Sequence, residues 1–184
     1  MNLNEYQRLT TETAIYPLHK GLVYCSLGIV SEAGEVAGVV KKILRDNEGR
    51  LTNDYRVKLM YELGDVLWYA AQIAMHGNLK LTGIEKRHPK KHGLPHEDLN
   101  TFVLCLGYSA GAIGTHVAQW QIDNDYSRQK LLLDIDDSLG FILAASRAIC
   151  HTIGVSLEHV AEMNLRKLRK RQIRGALSGS GDDR

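Results

Sequence analysis

The chain has 184 residues, 44% of them hydrophobic and 24% charged, and 23 Lys and Arg against 21 Asp and Glu give a formal charge of +2. A chain of this length buries roughly 70% of its unfolded surface on folding, so it can build a core, and its composition excludes a disordered polymer. No apolar run approaches the ~20 residues that span a bilayer, and residues 1–5 carry neither the basic nor the apolar region of a secretory leader. The expectation is a cytoplasmic protein with no membrane partner. Cys25, Cys105 and Cys150 are odd in number and far apart, which suits reduced core thiols better than a disulfide framework or a zinc knuckle.

Proline occurs only at Pro17, Pro89 and Pro95 and aromatics make up 7%, so the simplest reading is an all-α fold. Asn2 with Glu5 three positions on is the pattern of a capping box, opening a first helix to about residue 13. A loop containing Pro17 follows. Over 21–44 the residues Leu22, Leu27, Val30, Val36, Val39, Val40 and Ile43 recur at three- and four-residue steps, the spacing of one helix face. Residues 45–50 form a polar turn, and Asn53 is the expected cap of a third helix over 54–76. Two long helices joined by a short turn pack as an antiparallel hairpin. Residues 77–100, with two prolines and a basic cluster, read as a linker. Helices are predicted over 99–120 and 126–152, and Ser156 caps a last one over 157–171. Residues 178–184 lack apolar side chains and read as mobile unless a ligand orders them.

The two hairpins echo each other: Leu27-Gly28 and Ala33 line up with Leu106-Gly107 and Ala112, and 58–65 lines up with 130–137. Two unrelated helix pairs would give the same pattern as a duplication; duplication is the reading taken. In that register Glu32 and Glu35 correspond to Gly111 and Gly114, so the second pair is degenerate.

The chemistry-bearing feature is Glu32-Ala33-Gly34-Glu35 on the second helix and Glu62-Leu63-Gly64-Asp65 on the third. Residues at i and i+3 project from one helix face, so each pair forms a claw and the hairpin can bring the claws together. Four carboxylates in close quarters repel one another and are tolerated at neutral pH when cations sit between them; hard oxygen ligands select Mg²⁺ or Mn²⁺. The expected metal ligands are therefore Glu32, Glu35, Glu62 and Asp65. Asn164, Lys167 and Arg171 share one face of the last helix, Lys42 lies two turns beyond Glu35, and Tyr69 follows Asp65 by one turn.

The wording Leu27-Gly28 through Glu35-Val36-Ala37, with Glu62-Leu63-Gly64-Asp65-Val66-Leu67-Trp68-Tyr69, resembles the MazG-like all-α nucleoside triphosphate pyrophosphohydrolases. The opening (residues 1–7) and Ala14-Ile15-Tyr16-Pro17 are similar to the short bacterial and phage members, as are 155–171 and Gly179-Ser180-Gly181-Asp182. The resemblance covers 1–76 and 150–184, with some seventy residues intervening where short members have almost none. It implies a single domain over 1–184: a MazG-like helical bundle on a catalytic hairpin (1–76), an inserted linker and extra degenerate helical pair (77–152), and a last helix with its tail (153–184). It also implies metal-dependent conversion of a nucleoside triphosphate, expected to be a deoxynucleotide, to the monophosphate and pyrophosphate, with Glu32, Glu35, Glu62 and Asp65 as the catalytic residues. Asn164, Lys167, Arg171 and Lys42 would bind phosphate, and Tyr69 would stack on the base or pack on sugar. Tyr16, beside Pro17, is a further candidate to cover the base. Family members associate as dimers or tetramers, so a homo-oligomer in the cytoplasm, a host's for a phage-encoded chain, is expected.

His88, His92 and His96 fall at four-residue steps, but Pro89 and Pro95 spoil a helical metal site, and a basic flexible loop is the better account. Residues 134–137 read as structural. The basic run 165–171 supports a rival, a helical nucleic-acid-binding protein, which leaves the acids unexplained. A structural assembly protein that has lost activity is a third reading. No nucleic-acid partner is expected under the first.

Overall fold

The computed structural model describes residues 1–88 and 98–177, whose regular structure is entirely helical, with no strand among the described residues. The Asn2 side chain accepts the Glu5 N–H at 2.9 Å and starts α1 (Leu3–Thr10), which gives way to a 3-10 turn over Thr11–Thr13 instead of continuing as α-helix. Helix α2 (Gly21–Asp46) and helix α3 (Asn53–His76) follow. The cap of α3 is Thr52, whose extended backbone lets its hydroxyl accept the Tyr55 N–H at 3.4 Å. Asn53, the expected cap, is instead the first helical residue.

The linker contains structure that the sequence reading passed over. Helix α4 (Leu81–Arg87) buries Leu81 and Ile84 completely, and Gln7 on α1 ties its start by donating to the Leu79 carbonyl at 2.8 Å and accepting the Leu81 N–H at 3.0 Å. Beyond it come α5 (Leu99–Ile122), α6 (Arg128–Thr152) and α7 (Leu157–Ile173), capped by Asp98, Ser127 and Ser156. His92, His96 and the Gly-Ser tail lie outside the described residues.

Gly21 meets His76, Gly28 meets Tyr69 and Glu32 meets Asp65, pairings that run in opposite directions along α2 and α3 and define an antiparallel hairpin. The α5–α6 hairpin lies beside it, chiefly through α2 against α5, with α3 and α6 in lighter contact. Gly114 allows the approach, since a Cβ there would already touch Val30 at 3.4 Å. Ile29, Leu59, Leu63, Leu67, Leu106, Ile113, Leu131 and Ile135 fill the space between the helices. Helix α7 crosses the outer face of α3 beside α1.

The segments Leu18–Asp46 and Leu99–Ile122 are long and apolar enough to cross a membrane by length and composition, contrary to the expectation that no apolar run approaches that length. In the first, the apolar residues are broken by Glu32 and Glu35, the residues on which the site is built.

Candidate active site

Glycines and an alanine on α2 let α3 come close. A Cβ on Gly28 would sit 2.1 Å from the Tyr69 ring, and Ala33 is buried against the core. At that spacing Glu32, Glu62 and Asp65, all half-buried, each present an oxygen within 4.8 Å of the others. The arrangement has an electrostatic consequence. Burial, then the charges of Asp65 and Glu62, push the Glu32 carboxyl up to about 7, and the Lys167 ammonium only partly offsets them. These are hard oxygen donors at a separation that one or two small divalent cations can bridge, since ligation distances are roughly 2.0–2.6 Å. Glu35 lies one turn further along α2, exposed and outside this trio.

Helix α7 supplies the other wall. Gly64 of α3 faces Asn164, so the helices approach until Asn164 Nδ2 donates to Asp65 Oδ1 at 2.8 Å. The Tyr6 hydroxyl donates to Asn164 Oδ1 at 2.9 Å and fixes the amide. Burial and the neighbouring Asp65 charge hold the Tyr6 phenol well above its usual range, so it remains a donor. Lys167, one turn beyond Asn164, donates to Asp65 Oδ2.

Two concavities open from this point. One, of about 810 Å³, is lined by Glu35, Glu62, Tyr61 and His159 and by the cations Lys42, Lys58, Arg166, Lys167, Lys170, Arg171 and Arg174. The other, of about 450 Å³, is lined by Asp65, Arg171, Leu168 and four aromatic rings, Tyr16, Tyr24, Trp68 and Tyr69. Tyr16 stacks on Tyr24 with centroids 4.8 Å apart, and Trp68 meets Tyr69 edge-on at 4.9 Å. Trp68 is anchored through its indole N–H, which donates to Thr13 Oγ1 at 3.0 Å. A cleft lined with cations and a pocket walled by aromatic rings thus meet at the carboxylates, with Arg171 on both walls.

Neither a family model nor a solved structure matches the chain. A curated protein does: the Gene 37 protein of Mycobacterium phage L5 is 43% identical over 97 residues, which span 50% of this chain and 85% of the phage protein. The chain belongs to the family of that phage protein. The name Gene 37 protein assigns no chemistry, so the reading of this family member rests on its own residues.

Of the residues singled out in the sequence, Glu32, Glu62 and Asp65 converge, with Asn164 and Lys167 bonded to the last of them. Lys42 is exposed on the cleft wall, Arg171 is buried, and Tyr69 is half-buried in the aromatic pocket. Tyr16 is not a loose cover. Its side chain is buried, donates to Gln72 Oε1 at 2.8 Å and pairs with His76 Nε2 at 3.0 Å. Sequence reasoning gave no role to Tyr6, Tyr24, Lys58 or Tyr61. Tyr6 was visible only within the wording of the opening segment, and Lys58 only within the internal echo. Arg166 and Lys170 were visible within the basic run 165–171 without a direction.

Two acids of α6 are engaged by neighbouring side chains. Asp136 accepts from Arg87 and pairs with His88 Nε2 at 2.9 Å, while Asp134 is held by Tyr126 and Lys130. His88, read as part of a flexible loop, is instead packed over Gly140, where a Cβ would come within 2.5 Å of its ring.

Proposed function

We propose that this chain is a Mg²⁺-dependent nucleoside triphosphate pyrophosphohydrolase of the MazG-like kind, with Mn²⁺ able to replace Mg²⁺, acting on deoxynucleoside triphosphates to give the monophosphate and pyrophosphate. The observation that carries the reading is the convergence of Glu32, Glu62 and Asp65 between a cationic cleft and an aromatic pocket. The donor set fits such a metal: three carboxylate oxygens within 4.8 Å, one of them driven toward protonation when no cation is present.

Divalent ions held by these carboxylates would polarise phosphoryl oxygens and lower the pKa of a bound water. Glu35, one turn from Glu32 and lining the same cleft as Glu62, would complete the ligand set. Asn164, itself fixed by Tyr6, holds one Asp65 oxygen in position. The substrate carries about four negative charges, and Lys42, Arg166, Lys170 and Arg171 would bind the β- and γ-phosphates, the part that leaves as pyrophosphate. Tyr24, Trp68 and Tyr69 offer rings to the base or sugar on the opposite side, and both purines and pyrimidines have a face to stack.

A homo-oligomer is part of the same reading. Leu27, Leu104 and Tyr108 on α2 and α5 are each at least 70% exposed, and the α5–α6 hairpin, packed on α2, would replace one partner's lobe. The test is a hydrolysis panel of ribo- and deoxynucleoside triphosphates with Mg²⁺ and Mn²⁺, reading pyrophosphate. Metal-dependent release, abolished in Asp65→Asn and in Glu35→Gln with helical content intact, is expected. Full activity in either variant overturns the assignment, as does steeply salt-dependent DNA binding with no hydrolysis.

A further inference from the structure

We infer that Lys167 is a tethered cation that occupies the carboxylate cluster in place of a metal, and that a divalent ion entering the cluster sends its ammonium to the phosphates in the adjoining cleft. This rests on the pyrophosphohydrolase reading above and adds a regulatory element to the same site.

The geometry has three parts. Lys167 Nζ donates to Asp65 Oδ2, so it sits on one of the three carboxylates that a metal would need, and the two side chains are only 13% and 16% exposed. An ammonium and a divalent cation drawn to the same small carboxylate cluster repel each other at that distance, so the one disfavours the other. Lys167 also lines the cationic cleft, with its ammonium 5.5 Å from the centroid of the Tyr61 ring on the cleft wall, so a few bond rotations of its four-carbon stem carry the charge from carboxylate to cleft. Finally, Asn164 holds the other Asp65 oxygen through a bond buttressed by Tyr6, so the carboxylate stays in place when the lysine leaves.

Like charges clustered this closely need a counter-charge, and in the metal-free chain Lys167 supplies it. Metal binding must then break an ion pair shielded from solvent, and a triphosphate that accepts the released ammonium recovers part of that loss. Metal and triphosphate therefore favour each other's binding through Lys167, and by linkage the coupling is reciprocal.

The experiment is calorimetric titration of the full chain with Mn²⁺, alone and in the presence of inorganic triphosphate, for wild type, Lys167→Met and Lys167→Arg. Lys167→Met is expected to bind Mn²⁺ alone about tenfold more tightly, the scale of one partly buried ion pair. The gain in Mn²⁺ affinity that triphosphate produces should shrink by about the same factor, and Lys167→Arg should behave as wild type. Should Lys167→Met fail to fold, Lys167→Gln carries the same test. Wild-type Mn²⁺ affinity and undiminished triphosphate coupling in the charge-removed variant overturn the role of Lys167 while leaving the enzyme reading standing. Absence of Mn²⁺ binding in every chain, wild type included, overturns both.

Discussion

Gly64 on α3 lies directly against Asn164 on α7: a methyl group built on Gly64 would stand 3.0 Å from the Asn164 Cβ and 3.3 Å from its Nδ2. Helix glycines cost about 1 kcal/mol relative to alanine, so a glycine here reflects the approach of the two helices that delivers Asn164 to Asp65. Gly64→Ala should therefore push α7 outward and reduce both Mn²⁺ affinity and pyrophosphate release by about tenfold or more, while thermal stability changes little because improved helix propensity offsets the strain. Gly107→Ala is the contrast. Nothing lies within 4 Å of a Cβ there, the position is exposed, and the variant should gain roughly 0.5–1 kcal/mol with unchanged turnover. Denaturant titration and a pyrophosphate assay read both variants.

Tyr6→Phe keeps the buried ring and removes only the donor to Asn164 Oδ1. A buried acceptor left without its partner costs about 1–3 kcal/mol, and the freed amide is no longer held against Asp65. The expected result is a loss of stability of that order, seen in urea unfolding, together with weaker Mn²⁺ binding. Unchanged metal affinity would separate Tyr6 from the site.

The Glu32 carboxyl, raised to about 7 in the folded metal-free chain, has an ordinary value of 4.5 when unfolded. Between these values the folded state holds more protons than the unfolded state, so stability falls as pH rises through this window and is best retained below it. Allowing for the solvent-exposed part of the side chain, the loss is about 1–2 kcal/mol. Saturating Mn²⁺ supplies the missing positive charge and should flatten the profile. Thermal unfolding of the metal-free and metal-loaded chain from pH 4.5 to 8 tests this; identical profiles would count against a shared cation.

Gly28 accommodates the Tyr69 ring, and a Cβ there would overlap it at 2.1 Å. In Gly28→Ala the ring must leave its seat between Tyr24 and Trp68 and the aromatic pocket must deform. If that pocket receives the base or sugar, KM for the nucleotide should rise about tenfold with kcat reduced less, whereas affinity for inorganic triphosphate, which engages only the cationic cleft, should stay near wild type. Equal losses for both ligands would argue that the pocket holds no part of the nucleoside.

The sequence by itself determined the local half of this protein. Apolar residues at three- and four-residue steps set the long helices, Asn2 and Ser156 marked their starts, and i, i+3 spacing put Glu62 and Asp65 on one face of α3, because helical periodicity and capping are decided within a few neighbouring residues. It misplaced the cap between Thr52 and Asn53, two residues with comparable capping side chains, where the backbone angles chose the first. It passed over α4, whose seven residues are too few for a periodic signal and which is held by burial of Leu81 and Ile84 and by Gln7. It placed Tyr16 in a loop, where it lies, but missed the pairing with Gln72 and His76 that buries its side chain. Only the tertiary structure decided that Glu35 stands apart from Glu32, Glu62 and Asp65, that Lys167 sits on Asp65 from across the chain, and that the cationic cleft and aromatic pocket open from one point. Those relationships join residues thirty to a hundred positions apart, and they depend on how closely two helices approach, which is set by what a glycine leaves empty rather than by any repeating pattern along the chain.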